Sequence, residues 1–390
     1  MDSELKILLV EDSDSDADLL IRFLKKEKID FTHSRVWNRD AFIHALKENH
    51  LDLIIADHSL PQFSGMEAFR LAKIENKNIP FILVTGTVTE NILTEYAKEG
   101  IDDYILKENL LRLPSAIEHV VSKKKIEELH EKLEIAYKHI KDSINYAKTI
   151  QNAMLSDTTL LSDNFPESFI LYKPKDNLSG DFYWLSKEEN TFLIATADST
   201  GHGIPGALMS MIGIEKLNNL VLKTKEPSEI LKQLNKSIEI ALSQSTQYEH
   251  SQNGMDIALC SYNKESRILK FSGANRPLWI IRYGQTEIEE IKGTKKAIGG
   301  INTTHCPNYE SHEIKLQQGD TFYIFTDGFA DQFGGEQEKK VTTKRFKRLL
   351  LSIQDKTMSQ QEKCINNFIE DWKSEKEQTD DILVIGVRQE

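Results

Sequence analysis

Cysteine is scarce in this 390-residue chain, which has only three. Cys260, Cys306 and Cys364 lie far apart, and no Cys-x-x-Cys pair is present. A disulfide framework or a zinc site needs paired or clustered ligands. The sequence therefore predicts neither, and we expect three reduced thiols.

The chain also lacks a long apolar run and an excess of basic residues. No stretch approaches the roughly 20 apolar residues of a membrane helix, and acids precede the first short apolar run, where a signal peptide has basic residues. The net charge is -12, whereas nucleic-acid-binding proteins cluster lysine and arginine on one surface. We therefore expect a cytoplasmic protein whose partners are neither membranes nor nucleic acids.

Short apolar runs alternate with helical patterns through the first 122 residues. This alternation predicts a doubly wound α/β domain with a five-stranded parallel sheet. Four of the strands can be located in the sequence, at 6–10, 51–56, 80–84 and 104–106. The last helix of this domain is expected at 113–121.

Polar side chains follow these strands, at the edge where doubly wound sheets bind ligands. Acids at this edge can hold Mg²⁺, one carboxylate can attack phosphorus, and a hydroxyl and an amine can stabilise phosphoryl oxygens. For any one of these residues alone, a solvated loop position is the simpler interpretation. The set consists of Glu11, Asp12, Asp57, Thr85 and Lys107.

In this pattern the segment 1–122 resembles response-regulator receiver domains. The resemblance implies that Asp57 accepts a phosphoryl group from a sensor histidine kinase, that Thr85 and Lys107 contact this group, and that Tyr104 turns inward on phosphorylation. His58 is given no role. Mg²⁺ would be held by Glu11, Asp12, Asp57 and the backbone carbonyl of Ser59.

No proline or glycine occurs between Lys123 and Leu155. Apolar residues recur there at alternating steps of three and four, which predicts a helix with a heptad seam and favours a dimeric coiled coil. The alternative is a helix that packs on its own domain. The seam begins with Ile126, Leu129, Leu133, Ala136 and Ile140.

The stretch from Phe192 to Gly203 is an apolar run that ends in an acid and a histidine between two glycines. It predicts a buried strand that places Asp198 at a tight turn, followed by a helix that starts near Pro205. A turn-capping aspartate is the ordinary interpretation of Asp198 alone. Other acids, however, also lie at the edges of apolar runs: Asp181, Asp327, Asp380 and Asp381.

Carboxylates that converge from distant strands need cations. Two carboxylates about 4 Å apart repel by about 4 kcal/mol at an effective dielectric constant of 20. Sites made only of oxygen ligands suit Mg²⁺ or Mn²⁺. The acids therefore predict a divalent-metal site.

From about Phe165 onward the chain resembles the PPM-type serine/threonine phosphatases, in particular the branch of the bacterial stage II sporulation protein E. The resemblance implies an α+β fold with a central β-sandwich flanked by helices. The matching segments are Ser-Gly-Asp-Phe-Tyr at 179–183, Ala-Asp-Ser-Thr-Gly-His-Gly at 197–203, Gly-Ala-Asn-Arg-Pro-Leu at 273–278, Thr-Asp-Gly at 326–328 and Asp-Asp-Ile-Leu at 380–383.

The same resemblance implies two Mn²⁺ or Mg²⁺ ions bridged by Asp198. Asp327 and Asp380 would complete the site of one ion, and Asp181 with the carbonyl of Ser199 that of the other. Such a pair lowers the pKa of a bridging water and braces the attacking and leaving oxygens.

Other polar residues near these motifs receive weaker interpretations. His202 would orient bound water or protonate the leaving oxygen, and a structural turn histidine is the equal alternative. A hairpin or cap role is expected for Asp256 and Asp331. Lys173 and Lys175 could assist electrostatically. The arginine that binds substrate phosphate in some relatives has no clear match, so we expect the substrate's own docking surface to supply most contacts.

We therefore predict a receiver domain at 1–122, a coiled-coil linker at 123–155 and a phosphatase domain at 156–390. The predicted function is a response regulator whose output is a metal-dependent phosphoserine/phosphothreonine phosphatase that acts as a homodimer. The resemblance implies an anti-sigma-factor antagonist of the STAS type as the substrate. The alternative is a non-catalytic scaffold that binds a partner under receiver control, but a scaffold does not need four convergent acids.

Overall fold

The computed structural model describes residues 4–48, 50–61, 63–75, 79–86, 90–201, 203–243, 254–299 and 308–390. The chain divides into two compact units, Met1–His139 and Ile140–Glu390. None of the helices in these ranges has the length and apolar composition that a membrane span requires.

The first unit is the predicted doubly wound domain. Its five parallel strands lie in the order β2-β1-β3-β4-β5. The strands are β1 (Leu5–Val10), β2 (Phe31–Val36), β3 (Leu53–Asp57), β4 (Phe81–Thr85) and β5 (Asp103–Leu106). The helices are α1 (Asp14–Lys26), α2 (Arg39–Glu48), α3 (Gly65–Glu75) and α4 (Glu90–Glu99), and a 3-10 helix spans Lys107–Arg112.

Side chains of the strands alternate between two cores. Leu8 and Ile54 pack with Phe42 and other residues on one face of the sheet, and on the other face Leu9 packs with Ile117. The central strands β3 and β4 are buried on both faces, as parallel strands generally are. Strand β2 is the one that the sequence did not locate, because this edge strand is mostly exposed and has no apolar run.

A single helix, α5 (Leu113–Met154), replaces the two helices that were expected on either side of residue 122. Nothing in the sequence interrupts it, since neither proline nor glycine occurs between 115 and 154. The predicted seam is exposed in the single chain, with Ile126 at 67%, Leu129 at 57%, Leu133 at 66% and Ile140 at 60%. The middle of this helix is therefore not packed on its own unit.

The second unit is a β-sandwich flanked by helices, as predicted. One antiparallel sheet has the order β14-β10-β9-β8-β7, with β13 on β9, and the other has the order β12-β11-β15-β18-β6. The strands are β6 (Ser168–Lys173), β7 (Asp181–Glu188), β8 (Thr191–Ser199), β9 (Gly254–Asn263), β10 (Ile268–Ala274), β11 (Leu278–Ile281), β12 (Glu289–Ile291), β13 (Ile298–Gly299), β14 (His312–Lys315), β15 (Thr321–Phe325), β16 (Phe333–Gly334), β17 (Lys339–Lys340) and β18 (Ile382–Arg388). The helices are α6 (Thr159–Asn164), α7 (Gly203–Val221), α8 (Pro227–Ser243), α9 (Gly328–Asp331), α10 (Thr343–Ser352) and α11 (Met358–Lys373).

Three hydrophobic clusters hold this unit together. Ile194, Phe271 and Phe322 belong to the cluster between the two sheets. Helices α7 and α8 cover the outer face of the first sheet, and α10 and α11 cover the outer face of the second. In β8 the even-numbered side chains Phe192 and Ile194 belong to the inner cluster, so Asp198 also points into the space between the sheets.

Candidate functional site

In the first unit, the ends of three strands bring Glu11, Asp57 and Lys107 into contact. Lys107 Nζ donates to Asp57 Oδ2 at 2.8 Å and to Glu11 Oε2 at 3.1 Å. Burial raises the pKa of Glu11, while its hydrogen bonds to Ser13 and Lys107 oppose the rise. Burial disfavours the Lys107 ammonium, but hydrogen bonds to the acids outweigh this and raise its pKa. The predicted edge of the sheet is thus a compact cluster of opposite charges.

The third acid of this cluster is Asp16 and not the expected Asp12. Asp16 Oδ2 accepts a hydrogen bond from Lys107 Nζ, and carboxylate oxygens of Glu11, Asp16 and Asp57 all lie within 4.8 Å of one another. Asp12 is exposed in the loop before α1, whereas Asp16 lies in the first turn of that helix. Helix capping by Ser13, whose side chain accepts from Asp16 N, fixes this turn and directs Asp16 inward.

Among the remaining predicted residues of the first unit, Ser59 contacts Asp57 directly. Ser59 N donates to Asp57 Oδ1 at 3.3 Å, Thr85 is buried at the end of β4, and the Tyr104 side chain is 37% exposed. His58, which was given no role, is hydrogen-bonded through Nδ1 to the hydroxyl of Tyr96 in α4. Their rings pack edge to face at 5.6 Å, so His58 links the loop after Asp57 to a helix.

In the second unit, three acids form a row across adjacent strands. Asp181 of β7 lies opposite Asp198 of β8, which lies opposite Asp256 of β9. Directly opposed residues point to the same face of a sheet. Asp256 is therefore part of the acidic site, and the expectation of a hairpin or cap role was wrong, because the residue lies within a strand. Asp331 lies at the end of α9, where its carboxylate pairs with Lys340 at 2.9 Å.

The second sheet brings further acids to the same end of the sandwich. Asp327 follows β15, Asp380 and Asp381 precede β18, and these two strands are paired. Asp381 is buried and its carboxylate accepts from Lys175 N at 2.7 Å and from Gly180 N at 2.8 Å. Burial raises the pKa of Asp380, and the charges of Asp327 and Asp381 add to the rise.

The residues present fit divalent cations. Asp181 is 3% exposed, and its Oδ2 atom has no hydrogen-bond partner among the described residues. Burial, followed by the charge of Asp198, raises the pKa of Asp181 well above its usual range. Burial likewise raises the pKa of Asp198 to about 7, despite the opposing charge of Arg276. Buried carboxylate oxygens that lack donors are favourable ligands for hard cations.

Arg276, to which the sequence gave no role, contacts these acids. Its Nη2 atom donates to Asp198 Oδ2 and, at 2.8 Å, to Asp327 Oδ2, and it lies 3.4 Å from Asp256 Oδ2. The motif Gly-Ala-Asn-Arg-Pro at 273–277 was the sequence signal that could have identified Arg276 as a site residue. Of the two lysines suggested to assist electrostatically, Lys173 pairs through Nζ with Glu370 and with Asn366 Oδ1 at 2.8 Å, whereas the charge of Lys175 opposes the rise in the pKa of Asp380.

Gln151, near the end of α5, is a second residue whose position the sequence did not reveal. Its buried side chain donates to Ser179 O at 2.7 Å and to Ser210 Oγ at 2.9 Å, and it accepts from Ser179 N at 3.2 Å. Ser179 lies two residues before Asp181, and Ser210 lies in α7. One amide thus joins the linker helix, the segment before Asp181 and the helix after the Asp198 turn.

The turn after Asp198 needs its glycines. Gly201 has φ of +88° and Gly203 φ of +66°, as the sequence predicted, and α7 begins at Gly203. A Cβ atom on Gly206 would lie 2.1 Å from the Gly201 carbonyl oxygen, so only glycine allows this close approach. The prediction for His202 falls outside the described residues.

Sequence comparison agrees with this geometry. The family model for the stage II sporulation protein E (SpoIIE) matches residues 188–390, which is more than half of the chain. The chain belongs to the stage II sporulation protein E family. The model of the response regulator receiver domain matches residues 7–118, so the first unit is a receiver domain.

Three relatives illustrate the two halves of this SpoIIE-family chain. The SiaA-PP2C domain of Pseudomonas aeruginosa is a solved structure with 33% identity and a TM-score of 0.59, and the match covers 65% of this chain and 99% of that domain. Phosphoserine phosphatase RsbU of Bacillus subtilis is 26% identical over 204 residues, which are 52% of this chain and 57% of RsbU. Transcriptional regulatory protein RprY of Bacteroides fragilis is 30% identical over 107 residues, which are 27% of this chain and 44% of RprY. The chain thus spans less than two thirds of RsbU and of RprY.

Proposed function

We propose that this SpoIIE-family chain is a metal-dependent phosphoserine/phosphothreonine protein phosphatase controlled by phosphorylation of its receiver domain. The main support is the row Asp181, Asp198 and Asp256, with an unpartnered Asp181 oxygen in a buried position. The SpoIIE family match and the similarity to a phosphatase named for phosphoserine substrates support the same chemistry. A scaffold would gain nothing from burying these charges.

Two Mn²⁺ or Mg²⁺ ions would supply an activated water and stabilise the phosphoryl oxygens. We propose that Asp198, Asp327 and Asp380 would hold one ion and that Asp198, Asp181 and the Ser199 carbonyl would hold the other. The protein's own contribution is rigidity. Strand pairing fixes Asp181 against Asp198, and Asp381 holds the backbone of Gly180.

In the receiver domain we propose that Asp57 accepts the phosphoryl group and that Lys107 and Thr85 contact it. Mg²⁺ would be held by Glu11, Asp57 and the Ser59 carbonyl, together with Asp12 or Asp16. Asp16 is the closer of these two acids to the cluster. The phosphodonor would be a sensor histidine kinase.

The proposed substrate is a phosphorylated STAS-type protein, and the proposed assembly is a homodimer through the exposed seam of α5. Ile126, Leu129, Leu133 and Ile140 expose their side chains at heptad spacing, and a second copy of the helix would remove them from water. A two-stranded coiled coil buries such a stripe against its own copy.

The test is hydrolysis of p-nitrophenyl phosphate and of a phosphoserine STAS protein by the full chain across a Mn²⁺ titration. Asp198→Asn removes a charge from the centre of the acid row, so turnover should fall at least tenfold while the fold remains intact. Asp331→Asn is the matched control, because it removes a surface acid that pairs with Lys340. Absence of turnover by the wild type at every Mn²⁺ concentration would favour the scaffold.

A further inference from the structure

Arg276 is held rigidly at the end of the acid row. It follows β10, and its backbone N donates to Ala274 O at 2.7 Å. The preceding Asn275 has φ of +59° and donates from its backbone N to Thr294 O at 2.8 Å. A Cβ on Gly273 would lie 2.2 Å from the Arg276 carbonyl oxygen, so this turn has no room to shift. The guanidinium therefore starts from a fixed backbone position.

The hydrogen-bonding capacity of this guanidinium is only partly used. Among the described contacts, Nη2 is the guanidinium nitrogen that pairs with the carboxylates of Asp198 and Asp327, and it also lies near that of Asp256. Nε is buried, and no described group accepts its hydrogen. A buried donor without an acceptor is unfavourable unless a ligand supplies one. An arginine presents Nε and Nη2 as adjacent donors in a fork that fits two oxygens of one phosphoryl group.

The charges around Arg276 also indicate that its guanidinium is available to bind an anion. Asp181, Asp198, Asp256, Asp327 and Asp380 carry five negative charges if all are ionised, and the buried Asp381 beside them adds a sixth. Arg276 is the one cationic side chain in ion-pair contact with the first five in the described part of the chain, and it offsets one charge. Two divalent cations would offset four more, and the Asp381 carboxylate is already stabilised by the backbone N–H groups of Lys175 and Gly180. Nη2 would then be less needed to neutralise the acids.

We propose that Arg276 binds the phosphoryl group of the substrate through Nε and Nη2. This inference deepens the proposed phosphatase function and rests on it for the identity of the anion. It replaces the expectation that the substrate's own docking surface supplies most of the contacts. The chemical class of the ligand is a phosphate monoester, or inorganic phosphate as the product.

The test measures two affinities of the full chain separately: Mn²⁺ by calorimetry, and inorganic phosphate by calorimetry with Mn²⁺ saturating. Arg276→Gln removes a cation beside the acids, so Mn²⁺ should bind more tightly while phosphate binds about tenfold to a hundredfold more weakly. Arg276→Lys keeps the charge but loses the fork, so phosphate binding should weaken with little change in Mn²⁺ affinity. The KM for p-nitrophenyl phosphate should rise in both variants.

Arg282→Lys is the matched control. Arg282 pairs with Glu289 at 3.0 Å and with Asp320 at 2.8 Å, away from the acid row, so neither affinity should change.

Phosphate affinity within twofold of the wild type in both Arg276 variants would overturn the proposal. A fall of both affinities together with the melting temperature would also overturn it, since Arg276 would then be only structural. If Arg276→Gln does not fold, Arg276→Lys decides. Absence of wild-type turnover would count against the phosphatase function alone, because phosphate binding is measured without it.

Discussion

The amide of Gln151 connects the linker helix to the segment that precedes Asp181, and Gln151→Leu tests this contact. Leucine is similar in size but removes all three hydrogen bonds to Ser179 and Ser210. Ser179 is fully buried, so its N–H is left without an acceptor, and its carbonyl keeps only the 3.4 Å contact from Ser210 Oγ. An orphaned buried donor costs about 1–3 kcal/mol and each lost bond about 1 kcal/mol. Counting the orphaned Ser179 N–H once and the two other lost bonds separately, we expect the free energy of unfolding to fall by about 3–5 kcal/mol, compared with a total of about 5–15 kcal/mol for a typical folded domain.

Gln361→Leu is the matched control for this substitution. Gln361 is a buried glutamine in α11 that bonds to the Tyr323 hydroxyl and the Lys356 carbonyl, and none of these groups contacts the acids. Urea unfolding can be followed by tryptophan fluorescence, because three of the four tryptophans, Trp184, Trp279 and Trp372, belong to the second unit, while the exposed Trp37 belongs to the first. Both variants should lose stability.

Only Gln151→Leu should also weaken Mn²⁺ binding, by about tenfold, because it loosens the backbone that precedes Asp181. Stability within 0.5 kcal/mol of the wild type, about the additivity error of such measurements, would refute the hydrogen-bond argument. Equal Mn²⁺ affinities in the two glutamine variants would refute the claim that Gln151 supports the acidic site.

Two further predictions concern the receiver domain and its coupling to the phosphatase. Asp57→Ala should abolish labelling by acetyl phosphate with Mg²⁺ and leave Mn²⁺-dependent turnover of p-nitrophenyl phosphate unchanged, and equal labelling would contradict the acceptor assignment. One residue inserted near Lys138 turns the following helix by about 100° and should uncouple phosphatase rate from Asp57 phosphorylation, whereas seven residues nearly restore the seam and should preserve coupling. A response that ignores the length of the insertion would show that the linker is only a tether.

The sequence predicted the elements whose signal is local. Asp57 and Lys107 each follow or end a short apolar run. The turn after Asp198 is indicated by Gly201 and Gly203, which lie only a few residues further along the chain. The sequence did not indicate the edge strand at 31–36, because an exposed edge strand needs no apolar run. The sequence indicated Asp12 because it directly follows the strand, and it gave no signal for Asp16, because the direction of that side chain depends on where α1 begins.

The contacts of Arg276, Asp256 and Gln151 could not be predicted, because they depend on strand order. Arg276 lies 78 residues from Asp198 in the sequence, and the two meet only because β9 lies between β8 and β10. The pattern of apolar residues in an antiparallel strand gives its inward face but not its neighbours. In the sequence, a helical glutamine that will be buried looks the same as one that stays exposed to solvent. Only the structure places Gln151 against Ser179.

The structure also separates two adjacent acids that the sequence could not rank by chemistry. Both oxygens of Asp381 accept hydrogen bonds from backbone N–H groups, of Lys175 and Gly180, so this carboxylate is already satisfied and holds the loop before β7. Asp380 uses Oδ1 for the N–H of Asp381 and has Oδ2 left over. A carboxylate whose oxygens are all bonded to donors must break those bonds to bind a cation, whereas one with an available oxygen need not. Asp380 is therefore the better candidate for the metal ligand, and Asp381 positions the strand that supplies Asp181.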